Sequence, residues 1–353
     1  MSGVVAVSGM IANENPGPGA GVIRSLRAHP SFSGRIVGLA YDAFESASFL
    51  PGIADDVFLM PYPSQSNENY FQRLLYIRRE TGLDTLIPAL DSELLPVIHM
   101  ASRLREAGIR TFLPNEGQFK LRAKAVLEEL EEKHGLPVPR SRTVYDTASA
   151  LAASREFGFP VFVKGIFYEA YCAHSEYEVE VHFQRLQVKW GLPVVLQENV
   201  PGEEYDVAAL GDGTGGMVGA VPMKKMQLSE KGKAWGGVTV SDDTLLELTR
   251  KTLAALRWRG PLELEIMQSA ADGAYYILEI NPRFPSWIYL AQGAGQNLPY
   301  ACLQLAREEA VETFPECKPG VMFTRAALDY VVPLASIEAL SLHGELRRPL
   351  LGE

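Results

Sequence analysis

The sequence predicts a chain in two parts, α/β in its first third and α+β beyond it. Three observations carry this. Up to about residue 115, short apolar runs alternate with helix-period runs, the texture of βαβ units on a parallel sheet. After Pro137 the runs become apolar strands joined by short turns. Further on, Ala270-Ala271-Asp272-Gly273 separates two alternating runs, and Asp-Gly in that setting marks an antiparallel hairpin.

Val4–Ser8 reads as the first strand. A Gly/Pro-rich turn, NENPGPGAG, follows, then an amphipathic run at Val22–Ala28. Strands are predicted at Arg35–Ala40, Asp56–Met60 and Thr85–Ala89, with a short one at Thr111–Leu113. Asn69–Thr81 and Leu94–Glu106 have helical spacing. One charged helix is predicted over Gly117–His134, stopped by Gly135 and Pro137. Next come helices at Val144–Gly158 and Glu176–Trp190, and strands at Val161–Gly165, Val194–Val200, Tyr205–Leu210 and Met217–Val221. Leu210–Gly216 has the composition of a hairpin loop. A helix at Thr244–Leu256 precedes the strands Leu262–Gln268 and Tyr275–Ile280. The best boundary lies near residues 115–120, and the tail after Pro319 matches no pattern.

Composition narrows the function classes. The 353 residues, 47% hydrophobic and 22% charged, fit about two globular domains and exclude a disordered or collagen-like chain. A formal charge of −10 argues against nucleic acid and against anionic membrane as partners. Cys172, Cys302 and Cys317 are few, odd in number and far apart, which fits a reducing cytoplasm better than a disulfide scaffold. No apolar run is long enough to span a bilayer, and MSGVVAVSGM lacks a basic leader region. A cytoplasmic protein is expected, with a homodimer as the base-rate assembly.

The segment most informative for chemistry is Pro261–Arg283. Period-two alternation puts Glu263 and Glu265 on one face of the first strand and Glu279 and Asn281 on one face of the second. A turn near Ala271–Asp272 sets Glu265 opposite Glu279, or one pair away. Like charges so placed need neutralising, and a hard cation with oxygen ligands does that. Arg283 follows at once, with a guanidinium suited to a carboxylate or phosphate. A solvated hairpin face is the alternative, but it leaves the Asn-Pro-Arg-Phe-Pro ending of an apolar strand unexplained.

This segment resembles the metal-binding strand pair of the ATP-grasp superfamily, above all carbamoyl-phosphate synthase large subunits, biotin carboxylases and similar carboxylate–amine ligases. By that resemblance Glu265, Glu279 and Asn281 are ligands of Mg²⁺, with Mn²⁺ as a substitute, and Arg283 holds the substrate carboxylate or acyl phosphate. Phe159–Lys164 resembles the family's lysine strand, whose ammonium, here Lys164, contacts ATP phosphates. Leu196–Tyr205 resembles the segment around adenine and ribose. There Gln197 and the backbone of Glu198 and Val200 would meet the adenine edge, and Glu204, or its neighbour Glu203, the ribose hydroxyls. Lys124 occupies the place of a helix-borne base that reaches the phosphates, unless it belongs to a solvated face with Lys120 and Arg122. Lys225, preferred over Lys224, stands where relatives keep a cation near the γ-phosphate.

The resemblance implies an α/β domain over 1–116, an ATP-grasp domain over 117–320 with a lid at about 135–202, and a C-terminal segment, 321–353. It implies a ligase that activates a small carboxylate as an acyl phosphate and passes it to an amine, on a small molecule, a peptide or a carrier protein. A thiol or hydroxyl acceptor, or a non-catalytic ATP-binding module, are the alternatives. Two segments depart from the family. Gly165–Cys172 has one glycine and three aromatic residues where a Gly-rich phosphate loop is usual, and Gln227–Gly237, with Lys231, Lys233 and Trp235, reads as a flap or a surface loop. Tyr168, Trp235 and Trp287 are candidate substrate-lining residues. Gly17–Gly21 fits a structural turn better than a dinucleotide loop, and Asp91 fits a helix cap.

Overall fold

The computed structural model describes residues 3–13, 15–166, 169–229, 232 and 234–347. Four apolar runs form β1 (Val4–Ser8), β2 (Arg35–Ala40), β3 (Asp56–Leu59) and β4 (Leu83–Ile87), parallel in the order β3-β2-β1-β4. Strands apolar on both faces need cover on both. α1 (Gly19–Ala28) supplies Ile23 and Leu26 to one core, with Val5 and Val7. α2 (Asn67–Thr81) and α3 (Asp91–Glu106) supply Leu74 and Val97 to the other, with Ala6 and Leu39. The turn after β1 is structural. A Cβ on Gly19 would stand 2.2 Å from the Ser8 carbonyl oxygen, so the chain can pass there only as glycine.

The predicted strand Thr111–Leu113 is not one. A single parallel bridge, Thr85 to Arg110, replaces it, and the Leu113 carbonyl accepts from Arg259 Nη1 at 2.6 Å. The predicted helix over Gly117–His134 is broken into α4 (Glu116–Lys120), a 3₁₀ turn at Lys124–Val126 and α5 (Leu127–His134). No glycine or proline causes the break. Arg122 and Lys124 instead turn towards acids on other elements, Asp91 and Glu279, and these tertiary ion pairs override helical periodicity.

A four-stranded antiparallel sheet follows, with β5 (Ser141–Val144), β6 (Val161–Gly165), β7 (Ala170–Ala173) and β8 (Val194–Glu198) in the order β5-β8-β6-β7. α6 (Thr147–Phe157) and α7 (Glu176–Trp190) cover it around Phe183, Val161 and Leu196. α6 begins later than Val144 because Asp146 caps it, accepting from Ser149 N–H at 2.7 Å.

The largest sheet is antiparallel and six-stranded. It holds β9 (Gly202–Asp212), β10 (Met217–Leu228), β11 (Ala234–Thr239), β12 (Arg259–Ser269), β13 (Tyr275–Asn281) and β14 (Met322–Thr324), in the order β13-β12-β9-β10-β11-β14. The turn between β9 and β10 is tied by Asp212, whose Oδ1 accepts from the N–H groups of Thr214, Gly215 and Gly216. One face packs α8 (Asp243–Leu256) around the fully buried Trp258. The other face changes character along its strands. Leu210 and Ala208 of β9 lie in a core shared with the parallel sheet, together with Leu298 and Leu303 of α10 (Leu298–Ala306), which follows the short α9 (Tyr289–Gly293). Asp206 and Glu204, next on that face, are charged. Gln227–Gly237 spans the ends of the β10–β11 hairpin. Lys231 and Lys233 of that segment, and Phe167 and Tyr168 of the aromatic loop, lie outside the described residues.

The tail joins both main sheets. β14 extends the six-stranded sheet beside β11. After α11 (Leu334–Glu338), β15 (Glu345–Arg347) pairs antiparallel with β3 and becomes the edge of the first sheet. Among the described residues no helix is long and apolar enough to cross a membrane. Leu340, fully buried between α11 and β15, anchors this return. Leu340→Ala is expected to cost about 2–3 kcal/mol in urea unfolding, the loss typical of a buried leucine.

Candidate functional site

The charged half of the six-stranded sheet faces a cavity of about 600 Å³. Adjacent strands build its floor by register. Glu265 on β12 lies directly opposite Glu279 on β13 and opposite Asp206 on β9, and Glu263 lies opposite Asn281. The alternating sequence Leu262-Glu263-Leu264-Glu265-Ile266 explains the segregation. Its leucines and isoleucine enter the core against α8, and its glutamates face the cavity.

Lys225 of β10 is the cation of this floor. Its Nζ is 3.0 Å from Glu204 Oε2, 3.1 Å from Asp206 Oδ1 and 3.7 Å from Glu265 Oε2, with the side chain only 7% exposed. Burial disfavours its charge, but Glu265, Asp206 and Glu204 outweigh that and hold it well above an ordinary lysine. Burial pushes the Asp206 carboxyl far up, and Lys225 offsets this only in part. Lys224 points elsewhere, pairing with Glu203 at 2.7 Å. The structure therefore sorts both neighbouring pairs, with Lys225 and Glu204 towards the acidic floor and Lys224 and Glu203 away from it.

Across the cavity stand two more lysines. Lys124 Nζ, from the 3₁₀ turn, is 3.8 Å from Glu279 Oε2. Lys164, near the end of β6, donates to Gln197 Oε1, and Gln197 Nε2 donates to Ser141 Oγ at 3.0 Å. Burial, aided by Lys124, lowers the Lys164 ammonium from 10.5 to about 8. Arg283 is clamped by two acids. Its Nε donates to Asp91 Oδ2 at 3.2 Å and its Nη1 to Glu263 Oε2 at 2.8 Å. Burial works against the guanidinium charge, yet Asp91 and Glu263 raise it above the usual arginine range. Glu263 also accepts from Trp287 Nε1 at 3.1 Å.

Of the sequence-predicted residues, Lys124, Lys164, Lys225, Glu265, Glu279, Asn281 and Arg283 line the one cavity. Gln197 and Glu204 stand behind it, holding Lys164 and Lys225. Glu198 and Val200 are outside its lining. Glu198 is bound to Arg140, with its backbone N–H on the Arg140 carbonyl at 2.9 Å and its Oε2 2.7 Å from Arg140 Nε.

Asp91 is not a helix cap. It is the first residue of α3, and the capping falls to Glu93, whose Oε1 accepts from the N–H groups of Ala89 and Leu90 at 2.8 and 2.9 Å. Sequence reasoning missed Asp206. The available signal was a lone acid inside an apolar strand, two residues after Glu204. Among the described residues no three His, Cys, Asp or Glu side chains converge as a closed metal cluster. Glu265 and Glu279 stand opposite each other with Asn281 beside them, whose Nδ2 donates to Glu265 Oε1 at 3.1 Å.

The chain is similar to several known proteins. Residues 192–327 match a family profile described as ATP-grasp in the biosynthetic pathway with Ter operon. The arginine-specific carbamoyl phosphate synthase large chain of Lactiplantibacillus plantarum is 24% identical over 310 residues, covering 79% of this chain and 29% of that protein. The chain thus spans less than a third of the length of the curated relatives it matches. Among solved structures, biotin carboxylase from Campylobacter jejuni in a β-γ-ATP complex superposes with a TM-score of 0.70 at 15% identity, covering 89% of this chain and 73% of that one. L-amino acid ligase from Bacillus licheniformis gives 0.64 at 15% identity, covering 88% and 75%.

Lys225→Met would leave Asp206, Glu204 and Glu265 without their shared cation. A loss of about 3 kcal/mol at pH 8 is expected, as for other broken buried pairs. Burial already raises the Asp206 carboxyl, and without Lys225 nothing offsets it, so protonation of Asp206 restores stability as pH falls. Denaturant unfolding should show the deficit shrinking between pH 8 and pH 5.

Proposed function

We propose that this chain is an ATP-grasp protein and an ATP-dependent ligase, activating a small carboxylate as an acyl phosphate and transferring it to an amine. The observation that carries the reading is the direct opposition of Glu265 and Glu279, with Asn281 beside them and lysines supplied from three other segments. In this reading residues 1–116 are the α/β domain, 117–320 the ATP-grasp domain with its lid at about 135–202, and 321–353 a C-terminal segment.

Glu265, Glu279 and the Asn281 amide oxygen fit Mg²⁺, because two facing carboxylates and a neutral oxygen donor are what a hard cation takes. When bound, Mg²⁺ would align ATP phosphates and offset the charge developing on them. Lys164 and Lys124 donate to phosphate oxygens, and Gln197 keeps Lys164 aimed while a second lone pair on its oxygen remains for the adenine amino group. The Glu198 carbonyl and the Val200 N–H take the adenine edge, the Glu198 N–H being held by the Arg140 carbonyl, and Glu204 takes the ribose hydroxyls. Lys225 stands at the γ-phosphoryl end, its ammonium fixed by Asp206 and Glu265.

Asp91 and Glu263 hold the Arg283 fork rigid. Its Nε and Nη1 are engaged with them, and Nη2 is the donor for the substrate carboxylate. A carboxylate oxygen attacks the γ-phosphorus, ADP leaves, and the amine nitrogen displaces phosphate from the acyl carbon. Closure of the lid over this cavity keeps water from the acyl phosphate. In the cytoplasm, ATP and small amines supply what the reaction consumes.

ADP and phosphate release with Mg-ATP, across pools of amino acids and other small carboxylates, tests the reading. Release should depend on one acid and fall at least 100-fold in Glu279→Ala. Nucleotide release unaffected by any acid or by Glu279→Ala would refute it. ATP affinity should also fall as pH rises through about 8, where Lys164 loses its proton, by up to tenfold per pH unit. Lys164→Arg, charged throughout, should flatten that profile in calorimetric titrations.

A further inference from the structure

A second cavity, of about 900 Å³, lies beside the first. Ile11, Pro16, Gly17, Ser286 and Trp287 line both. One side is lined by residues 321–330, the segment that carries β14 and then runs on without regular structure. Its walls are aromatic and apolar, with Trp235, Trp287, Tyr289, Leu290 and Phe323. The volume equals that of roughly thirty liquid waters, far more than a small amine fills.

Two arginines border this cavity. The Arg24 guanidinium lies 4.1 Å from the centroid of the Tyr289 ring. Arg325 donates from Nη2 to Ser286 Oγ at 2.8 Å and from Nε to the Ala234 carbonyl at 3.2 Å. Neither has a carboxylate within 4.0 Å among the described residues, although the exposed Asp329 borders the same cavity. Burial alone acts on Arg325, lowering its pKa. A desolvated cation without an acid is unfavourable, and an incoming anion relieves it. Arg283 and Arg307, which are deeply enclosed, each hold an acid, Asp91 with Glu263 and Asp84 respectively. Arg259 also lacks one, but it borders neither cavity and is covered by the Phe112 ring and the Leu113 carbonyl.

Trp287 links this cavity to the reaction centre. Its ring is a common wall, and its indole N–H bonds to Glu263, which in turn holds Arg283. We propose that the second cavity seats the acceptor, an amine carrying a carboxylate or phosphate on an extended apolar or aromatic body, with Arg325 and Arg24 on the anion. This rests on the ligase reading for the word acceptor. The binding preference stands on the cavity and its arginines.

Calorimetric titration without nucleotide tests it, using phenylalanyl-phenylalanine and its C-terminal amide, both N-acetylated so that they differ only in the carboxylate, and phenyl phosphate. At least one acidic probe should bind tenfold or more tighter than the amide, and the two acidic probes separate carboxylate from phosphate recognition. Arg325→Gln should abolish the preference, Arg24→Gln should reduce it, and both should leave the Mg-ATP titration unchanged. Equal binding of acid and amide to the wild-type protein, no binding of any probe, or a preference that survives Arg325→Gln overturns the proposal. The wild-type comparison decides alone if Arg325→Gln does not fold. Loss of the ligase reading would appear separately, as absent ATP binding in the same protein samples.

Discussion

Glu265 and Glu279 face each other across paired strands, and much of the molecule answers that repulsion. At an effective dielectric of about 20, two like charges about 5 Å apart cost roughly 3 kcal/mol. The fold meets this cost with cations from separate segments. Lys225 comes from two strands away, and Lys124 from a turn outside the sheet. The break in the helix after Lys120 belongs to the same response, because a continuous helix would not bring both Arg122 and Lys124 to their acids. The floor is thus an alternating lattice of charge, its acids and lysines held against one another.

The four-stranded unit meets this floor on different terms. Its buried cluster, around Val161, Phe183 and Leu196, is separate from the clusters of the six-stranded sheet. It reaches the cavity through Lys164, Glu169 and Ala170. A unit with its own core can change its distance from a polar floor without exposing apolar surface, which is the physical condition for opening and closing around a ligand.

Local patterning made much of this legible. Strict alternation at Leu262–Ile266, an Asp-Gly turn and a Glu-x-Asn ending located the paired acids, and the register of β12 on β13 needs nothing more distant than that hairpin. The parallel sheet was legible from alternating strand and helix textures. What escaped were features decided by partners far along the chain. Thr111–Leu113 has strand composition, but its carbonyl is claimed by Arg259. Asp91 has cap composition, but Glu93 takes the cap and leaves Asp91 to Arg283. Asp206 is a single acid in an apolar strand, and only the neighbouring strands reveal what it pairs with. The strands β14 and β15 are each three residues long, too short to carry a period.

The placement of those last two strands also bears on how the chain is made. The parallel sheet is assembled from residues near the start, yet the strand that closes its β3 edge is β15, beyond residue 344. During synthesis the first third must therefore wait, with an unpaired strand edge, until nearly all the described chain has emerged. Such an edge invites pairing with other chains. Asp56, on β3, is buried beside that edge, where it meets Arg35 and, once β15 docks, Arg347. A carboxylate on the edge strand resists premature pairing with other chains, and the same carboxylate later receives an arginine of β15.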